Sequence, residues 1–87
     1  MDLTEFSAEA RKRITSTLPP KHQLETIIVK QKFSGFCVGK KSFLSFQPVI
    51  NVPIQEKDDK FIYEVKSLNP EYAELAKKIG EQLSKIT

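Results

Sequence analysis

The sequence is short of several residues and segments that mark particular classes of protein. It contains one cysteine, Cys37, and no tryptophan. One cysteine cannot form an intramolecular disulfide, whereas small secreted domains normally depend on several. No apolar run approaches the roughly 18–20 residues that cross a bilayer, and the first residues are acidic where a signal peptide is basic. We therefore expect a protein of the reducing cytoplasm, without a membrane partner.

The chain also lacks the residue sets that catalysis and metal binding require. Its single histidine, His22, and Cys37 are too few for a site with the usual nitrogen and sulfur ligands. A nucleophilic cysteine needs a positioned base, and a cysteine in a short apolar segment is usually a small buried hydrophobe. Asp58 and Asp59 have no convergent partners for acid–base chemistry. The sequence predicts a protein that is not an enzyme and that holds no cofactor or metal.

Length and composition indicate one small folded domain. Of the 87 residues, 39% are hydrophobic and 29% are charged, which is ordinary for a folded protein. A domain of this size buries only about 60% of its unfolded surface, so little material remains for a deep pocket. We predict a single domain over 1–87.

Hydrophobic periodicity predicts a helix at each end of the chain. In the first, over 1–17, apolar residues recur at spacings of three and four and so share one face: Leu3, Phe6, Ala10 and Ile14. In the second, over 69–87, Asn69 is the cap and Pro70 lies in the first turn. Its apolar stripe consists of Tyr72, Leu75, Ala76, Ile79, Leu83 and Ile86.

Between the helices the period changes to two, which indicates β-strands. The β-branched run over 25–33 predicts one continuous strand. Gly35 and Gly39 bracket a short strand, and the polar residues of 39–42 indicate the turn that follows it.

Two further strands are predicted over 49–55 and 61–66, joined by a charged hairpin loop over 56–60. Because Pro53 cannot donate a backbone hydrogen bond, we expect strand 49–55 at a sheet edge. The predicted fold class is α+β: an N-terminal helix, a three- to four-stranded antiparallel sheet over 22–68, and a C-terminal helix packed on one sheet face.

Positive charge is concentrated in one third of the chain. Residues 11–41 contain eight lysines and arginines against one acid, while the net charge of the chain is +3. Proteins that bind single-stranded nucleic acid place aromatic rings where bases stack and lysines where phosphates lie. The sequence therefore favours a small binding module that contacts nucleic acid through a basic face. The candidate contacts are Lys30, Lys32, Lys40, Lys41, Arg11, Lys12 and Arg13, with Phe36 as the stacking residue.

Two other interpretations remain open. A domain without tryptophan needs its phenylalanines inside, so those at 33, 36, 43 and 46 are also candidates for the core, with solvated lysines outside. Alternatively, the uncharged segment 42–55 predicts a protein–protein interaction or homo-oligomeric module, adaptor or regulatory, because an edge strand can join a partner's sheet. The candidate edge residues are Val49, Asn51 and Pro53.

Overall fold

Two helices and a five-stranded antiparallel sheet form the fold of residues 1–86, which the computed structural model describes. Helix α1 spans Leu3–Thr15, and a short 3₁₀ helix over Pro70–Tyr72 leads into helix α2, Ala73–Ser84. The α+β prediction is confirmed. The strands are β1 (His22–Val29), β2 (Lys32–Lys41), β3 (Phe46–Lys57), β4 (Lys60–Tyr63) and β5 (Lys66–Ser67).

The sheet order is β1-β2-β3-β4, with β5 also paired to β3. The segment 49–55 therefore lies in the central strand, and the prediction of an edge strand is wrong. Pro53 is accommodated differently. Its carbonyl accepts a hydrogen bond from the Glu64 N–H (3.2 Å), on the side where pairing lapses between Tyr63 and Lys66. Pro53, which has no backbone N–H to donate, therefore lies where the strand pairing is interrupted.

The prediction of one continuous strand over 25–33 is also wrong. Lys30 and Gln31 have positive φ angles of 51° and 66°, and the chain reverses there to form the β1–β2 hairpin. The next turn lies three residues later than the sequence indicated. Gly39 belongs to β2 and pairs with Pro48, and the loop between β2 and β3 covers residues 42–45.

Helix α1 is capped at its N-terminus and has the buried face that its sequence predicts. Asp2 accepts from the Glu5 N–H (2.8 Å) while the Glu5 carboxylate accepts from the Asp2 N–H (3.3 Å), which completes a capping box. One apolar face packs into the core, where the Phe6 ring stacks on Phe61 at 4.5 Å between centroids. The core cluster unites both helices with one face of the sheet: Phe6, Ala10, Ile14, Leu24, Phe36, Val38, Val49, Ile50, Val52, Ile54, Ile79 and Leu83.

Both helices pack against the same face of the sheet. The cross-strand row Leu24–Val38–Ile50 belongs to the core. Because successive side chains of a strand point to opposite faces, the neighbouring row lies on the other side, which we call the open face. That row runs Glu25–Cys37–Asn51–Lys66. No helix within residues 1–86 is both long and apolar enough to cross a membrane.

Candidate nucleic-acid interface

The β2–β3 loop projects two large apolar side chains into solvent. Its ends are held together by the Ser42 N–H, which donates to the Ser45 carbonyl (2.9 Å), and by a hydrogen bond between the two serine hydroxyls (2.6 Å). Between these serines, Phe43 is 97% exposed and Leu44 is 89% exposed. We call residues 42–45 the hairpin tip. A closed turn with two adjacent uncovered apolar side chains is a candidate contact surface for another molecule.

Three lysines surround the base of the hairpin tip. Lys40 and Lys41 are the last residues of β2, and the Lys41 N–H donates to the Lys21 carbonyl (2.7 Å). All three are exposed. The sequence has no acid from position 26 to position 55. The hairpin tip therefore combines an exposed aromatic ring with positive charge that no neighbouring residue in sequence neutralises.

A half-buried aromatic residue, Phe46, packs at the base of this tip. A side chain at Gly39 would overlap the ring of Phe46, because that ring lies directly against the glycine backbone. The ring therefore packs the first residue of β3 against the C-terminal end of β2. Phe43 is left as the aromatic residue that points away from the protein. The sequence analysis gave Phe43 only as a candidate for the core, and named neither Leu44 nor Lys21 as a site residue. The available signal was the pair of turn-favouring serines on either side of Phe43 and Leu44.

Phe36, the predicted stacking residue, is only 1% exposed. Its ring packs edge-to-face with Phe33 (5.2 Å between centroids) and lies under the Arg11 guanidinium, whose carbon is 5.2 Å from the ring centroid. No base can reach a ring that is covered on this side by a helix. The assignment of Phe36 as the stacking residue is therefore wrong.

The predicted basic residues form three separate groups. Lys30 and Lys32 lie at the β1–β2 turn, and Lys40 and Lys41 lie at the opposite end of β2. Since β2 has ten residues, the two lysine pairs are about 30 Å apart at about 3.3 Å per residue. They cannot form one compact phosphate site.

The third group, on α1, has mainly intramolecular partners. Arg11 donates to the Thr26 hydroxyl as well as covering Phe36. Arg13 donates to the Glu9 carboxylate (3.0 Å) and to Gln82 of α2 (3.3 Å), while Lys12 is exposed. Two of these three cations thus stabilise the packing of α1, although Arg11, like Lys12, is exposed to solvent.

The proposed interaction edge is not an edge. Val49 is buried and belongs to the core, and Asn51 pairs with Cys37 on one side and Lys66 on the other. Pro53 is exposed at the interruption between β4 and β5. These residues lie inside the sheet and present no free backbone row to a partner.

The ends of the two hairpins diverge and enclose a cleft of about 890 Å³. It forms because β2 pairs with β3 only as far as Gly35, beyond which β3 pairs with β4. Its lining mixes apolar Phe33 and Ile62 with Lys30 and Glu64. The cleft lies beside the first lysine pair, at the end of β2 far from the hairpin tip.

Cys37 and His22 occupy structural positions. Cys37 is buried, and burial together with the nearby Glu25 carboxylate raises the pKa of its thiol above the ordinary value of 9.0, which disfavours the reactive thiolate. The His22 ring hydrogen bonds to the Tyr72 hydroxyl (2.7 Å) and to the Pro20 carbonyl (2.9 Å). Within residues 1–86, no three His, Cys, Asp or Glu side chains are grouped to hold a metal ion.

Comparisons with protein-family models, with curated proteins and with solved structures found no match. The geometry of the hairpin tip and the distribution of charge therefore carry the functional argument.

Proposed function

We propose that this protein is a small non-enzymatic module that binds single-stranded nucleic acid, or the unpaired bases of a structured one, through the hairpin tip. The observation that carries the proposal is Phe43, whose ring is 97% exposed beside three exposed lysines. A projecting ring suits unpaired bases because their π-faces are free, and each stacked base contributes about 1–3 kcal/mol.

The lysines have a distinct role in this proposal. Lys21, Lys40 and Lys41 surround the turn that carries the ring, so they contact the phosphates on either side of a stacked base. Such contacts release counterions and make binding depend on salt. They position the strand without reading its sequence, so the module discriminates weakly among bases.

The test is fluorescence anisotropy of labelled single-stranded RNA, single-stranded DNA and duplex DNA, titrated with the pure protein at about 50 mM salt, where phosphate contacts are strong. We expect binding to the single strands and weaker binding to the duplex. Phe43→Ala removes the stacking surface and should weaken binding by about 5- to 150-fold, the equivalent of about 1–3 kcal/mol. Phe43→Tyr keeps the ring and should keep the affinity.

The chain offers a matched control for the charges. Lys40→Gln with Lys41→Gln should weaken binding, whereas Lys30→Gln with Lys32→Gln removes the same charge at the other end of β2 and should have little effect. Equal loss in the two double variants would show that only net charge matters and would overturn the assignment to the hairpin tip. No binding of any oligonucleotide would overturn the proposed function.

A protein–protein contact at the same tip is the second candidate. It is favoured by Leu44, which is 89% exposed and has no π-face for a base. The buried centre of a protein interface is more apolar than its rim, and such a contact depends less on salt than phosphate contacts do. If Leu44→Ala weakens oligonucleotide binding as much as Phe43→Ala does, stacking is not the basis of the contact, and the protein-partner candidate is favoured.

A further inference from the structure

The two edges of the sheet differ in how well they are protected from pairing with another chain. On one side the edge is divided into β4, of four residues, and β5, of two residues, and it carries Lys60 and Lys66. Short strands, interruptions and lysines are the usual means of preventing edge-to-edge association. On the other side the edge is β1, which has eight consecutive residues. Its pairing with β2 shifts register between Ile27 and Ile28, where the extra residue is Ser34 of β2 and not a residue of β1.

Strand β1 has none of these protective features. It contains no lysine and no proline, and its only acid or base apart from His22 is Glu25. Its second half is β-branched, and Ile28 and Val29 are 59% and 51% exposed. Among the described residues it pairs with β2 alone, so one row of its backbone groups has no partner strand. A long apolar edge of this kind is suited to pairing with another strand.

We propose that β1 pairs with β1 of a second copy of this chain, antiparallel and about a two-fold axis at Ile27. This register places Ile27 opposite its own mate and Glu25 opposite Val29 of the second copy. In the second copy, Val29 also pairs with Lys32, so Glu25 and Lys32 flank the same valine from opposite sides.

Charge complementarity favours this occupant and this register. An axis at Glu25 would place two carboxylates opposite each other, which is destabilising. An axis at Thr26 would bring together the two Arg11 side chains, each of which donates to its own Thr26. With the axis at Ile27, each Glu25 instead lies on the same open face as Lys32 of the second copy, and only Val29 of that copy lies between them. The strand is therefore self-complementary, as a two-fold interface requires.

The first test is sedimentation velocity of the wild-type chain from about 5 to about 500 μM, a range that resolves micromolar dimers. We expect the mass to rise from monomer to dimer. Ile28→Lys with Val29→Lys adds edge lysines and should leave a monomer at every concentration. Leu68→Lys is the matched control, since Leu68 is 52% exposed and lies outside β1, and it should dimerise as the wild type does. A wild type that is monomeric throughout, or a dimer that persists in the double variant, would overturn the proposal.

A cross-linking experiment tests the register without relying on the folding of the lysine variant. On a Cys37→Ser background, Ile27→Cys should form an intermolecular disulfide under mild oxidation, because directly opposed strand residues have Cα atoms about 4.5–5.5 Å apart. Gln23→Cys is the control and should not form the disulfide, since Gln23 faces Gln31 of the second copy in this register. Equal cross-linking of the two variants, or none at Ile27→Cys, would contradict the axis at Ile27. Dimerisation does not depend on the proposed nucleic-acid function, because neither test contains an oligonucleotide.

Discussion

At the scale of single residues, the two glycines of β2 are constrained in different ways. Gly35 has a φ of +134°, and a Cβ there would overlap the backbone carbonyl oxygen of Val52 and come within 2.8 Å of the Pro53 Cα. At Gly39 the nearest atoms in the way of a Cβ belong instead to the Phe46 ring. A ring can rotate away, whereas the neighbouring strand cannot move without breaking its pairing.

We therefore expect Gly35→Ala to be the more damaging substitution. It combines an unfavourable backbone conformation with overpacking, and should lower the free energy of unfolding by about 2–4 kcal/mol. Urea denaturation followed by circular dichroism measures the change. Gly39→Ala is the comparison and should cost about 1–2 kcal/mol as Phe46 is displaced. If the two variants unfold at the same urea concentration, Gly35 is not held against the backbone of β3.

The environments of the phenylalanines show what sequence pattern could and could not supply. Alternation correctly indicates that aromatic residues of this segment enter a core, as Phe36 does. It fails for Phe43, because the turn falls at 42–45 and not at 39–42, which moves this residue from a strand to an exposed loop. A shift of three residues in a turn is below what composition resolves, yet it decides which ring is available for stacking.

At the scale of secondary-structure elements, the turns of the β1–β2 and β3–β4 hairpins have the same backbone geometry but different residues. Lys30 and Gln31 have φ angles of 51° and 66°, and Asp58 and Asp59 have φ angles of 52° and 62°. Two consecutive positive φ angles are typical of a type I′ turn, which prefers Asn-Gly or Asp-Gly. Lysine and glutamine tolerate this conformation poorly, so the first turn is strained by its sequence.

Replacing Lys30→Asn together with Gln31→Gly should raise the free energy of unfolding by about 1–2 kcal/mol, because the strain at two positions is partly relieved. Thermal and urea denaturation measure the gain. The pair Asp58→Asn and Asp59→Gly is the matched control and should give less, since aspartate already adopts this region more readily. A loss of stability in the first variant would show that the β1–β2 turn is not of this type.

Local sequence signals determine which of the elements could be predicted. The helices follow from periodicity and capping, since Asp2 and Glu5 form a capping box and Asn69 accepts from the Glu71 N–H. The β3–β4 hairpin follows from its aspartates. The β1–β2 hairpin does not, because Lys30 and Gln31 carry no turn signal and the β-branched residues before them read as one long strand. The central position of β3 could not be deduced either, since strand order depends on contacts distant in sequence.

At the scale of the whole molecule, the candidate lysines of the sheet are divided between two ends. The long dimension of the protein is 39 Å, and the ten residues of β2 separate the lysines at the hairpin tip from Lys30 and Lys32 by about 30 Å. A strand bound at the tip alone meets three lysines, whereas one that runs along the sheet would meet five. The number of phosphates engaged therefore reports how the nucleic acid is oriented on the protein.

Salt dependence measures that number. For single strands, the logarithm of the binding constant falls by about 0.7 per phosphate for each tenfold rise in salt. Three contacts at the hairpin tip give a slope of about −2, so affinity should fall by about 20-fold between about 50 and 200 mM salt. Five contacts give a slope of about −3.5 and a fall of about 100-fold. We expect the smaller slope, and we expect it to be unchanged in Lys30→Gln with Lys32→Gln. A slope near −3.5 that drops to −2 in this double variant would mean that the strand lies along the whole sheet, and that the hairpin tip is one end of a longer interface.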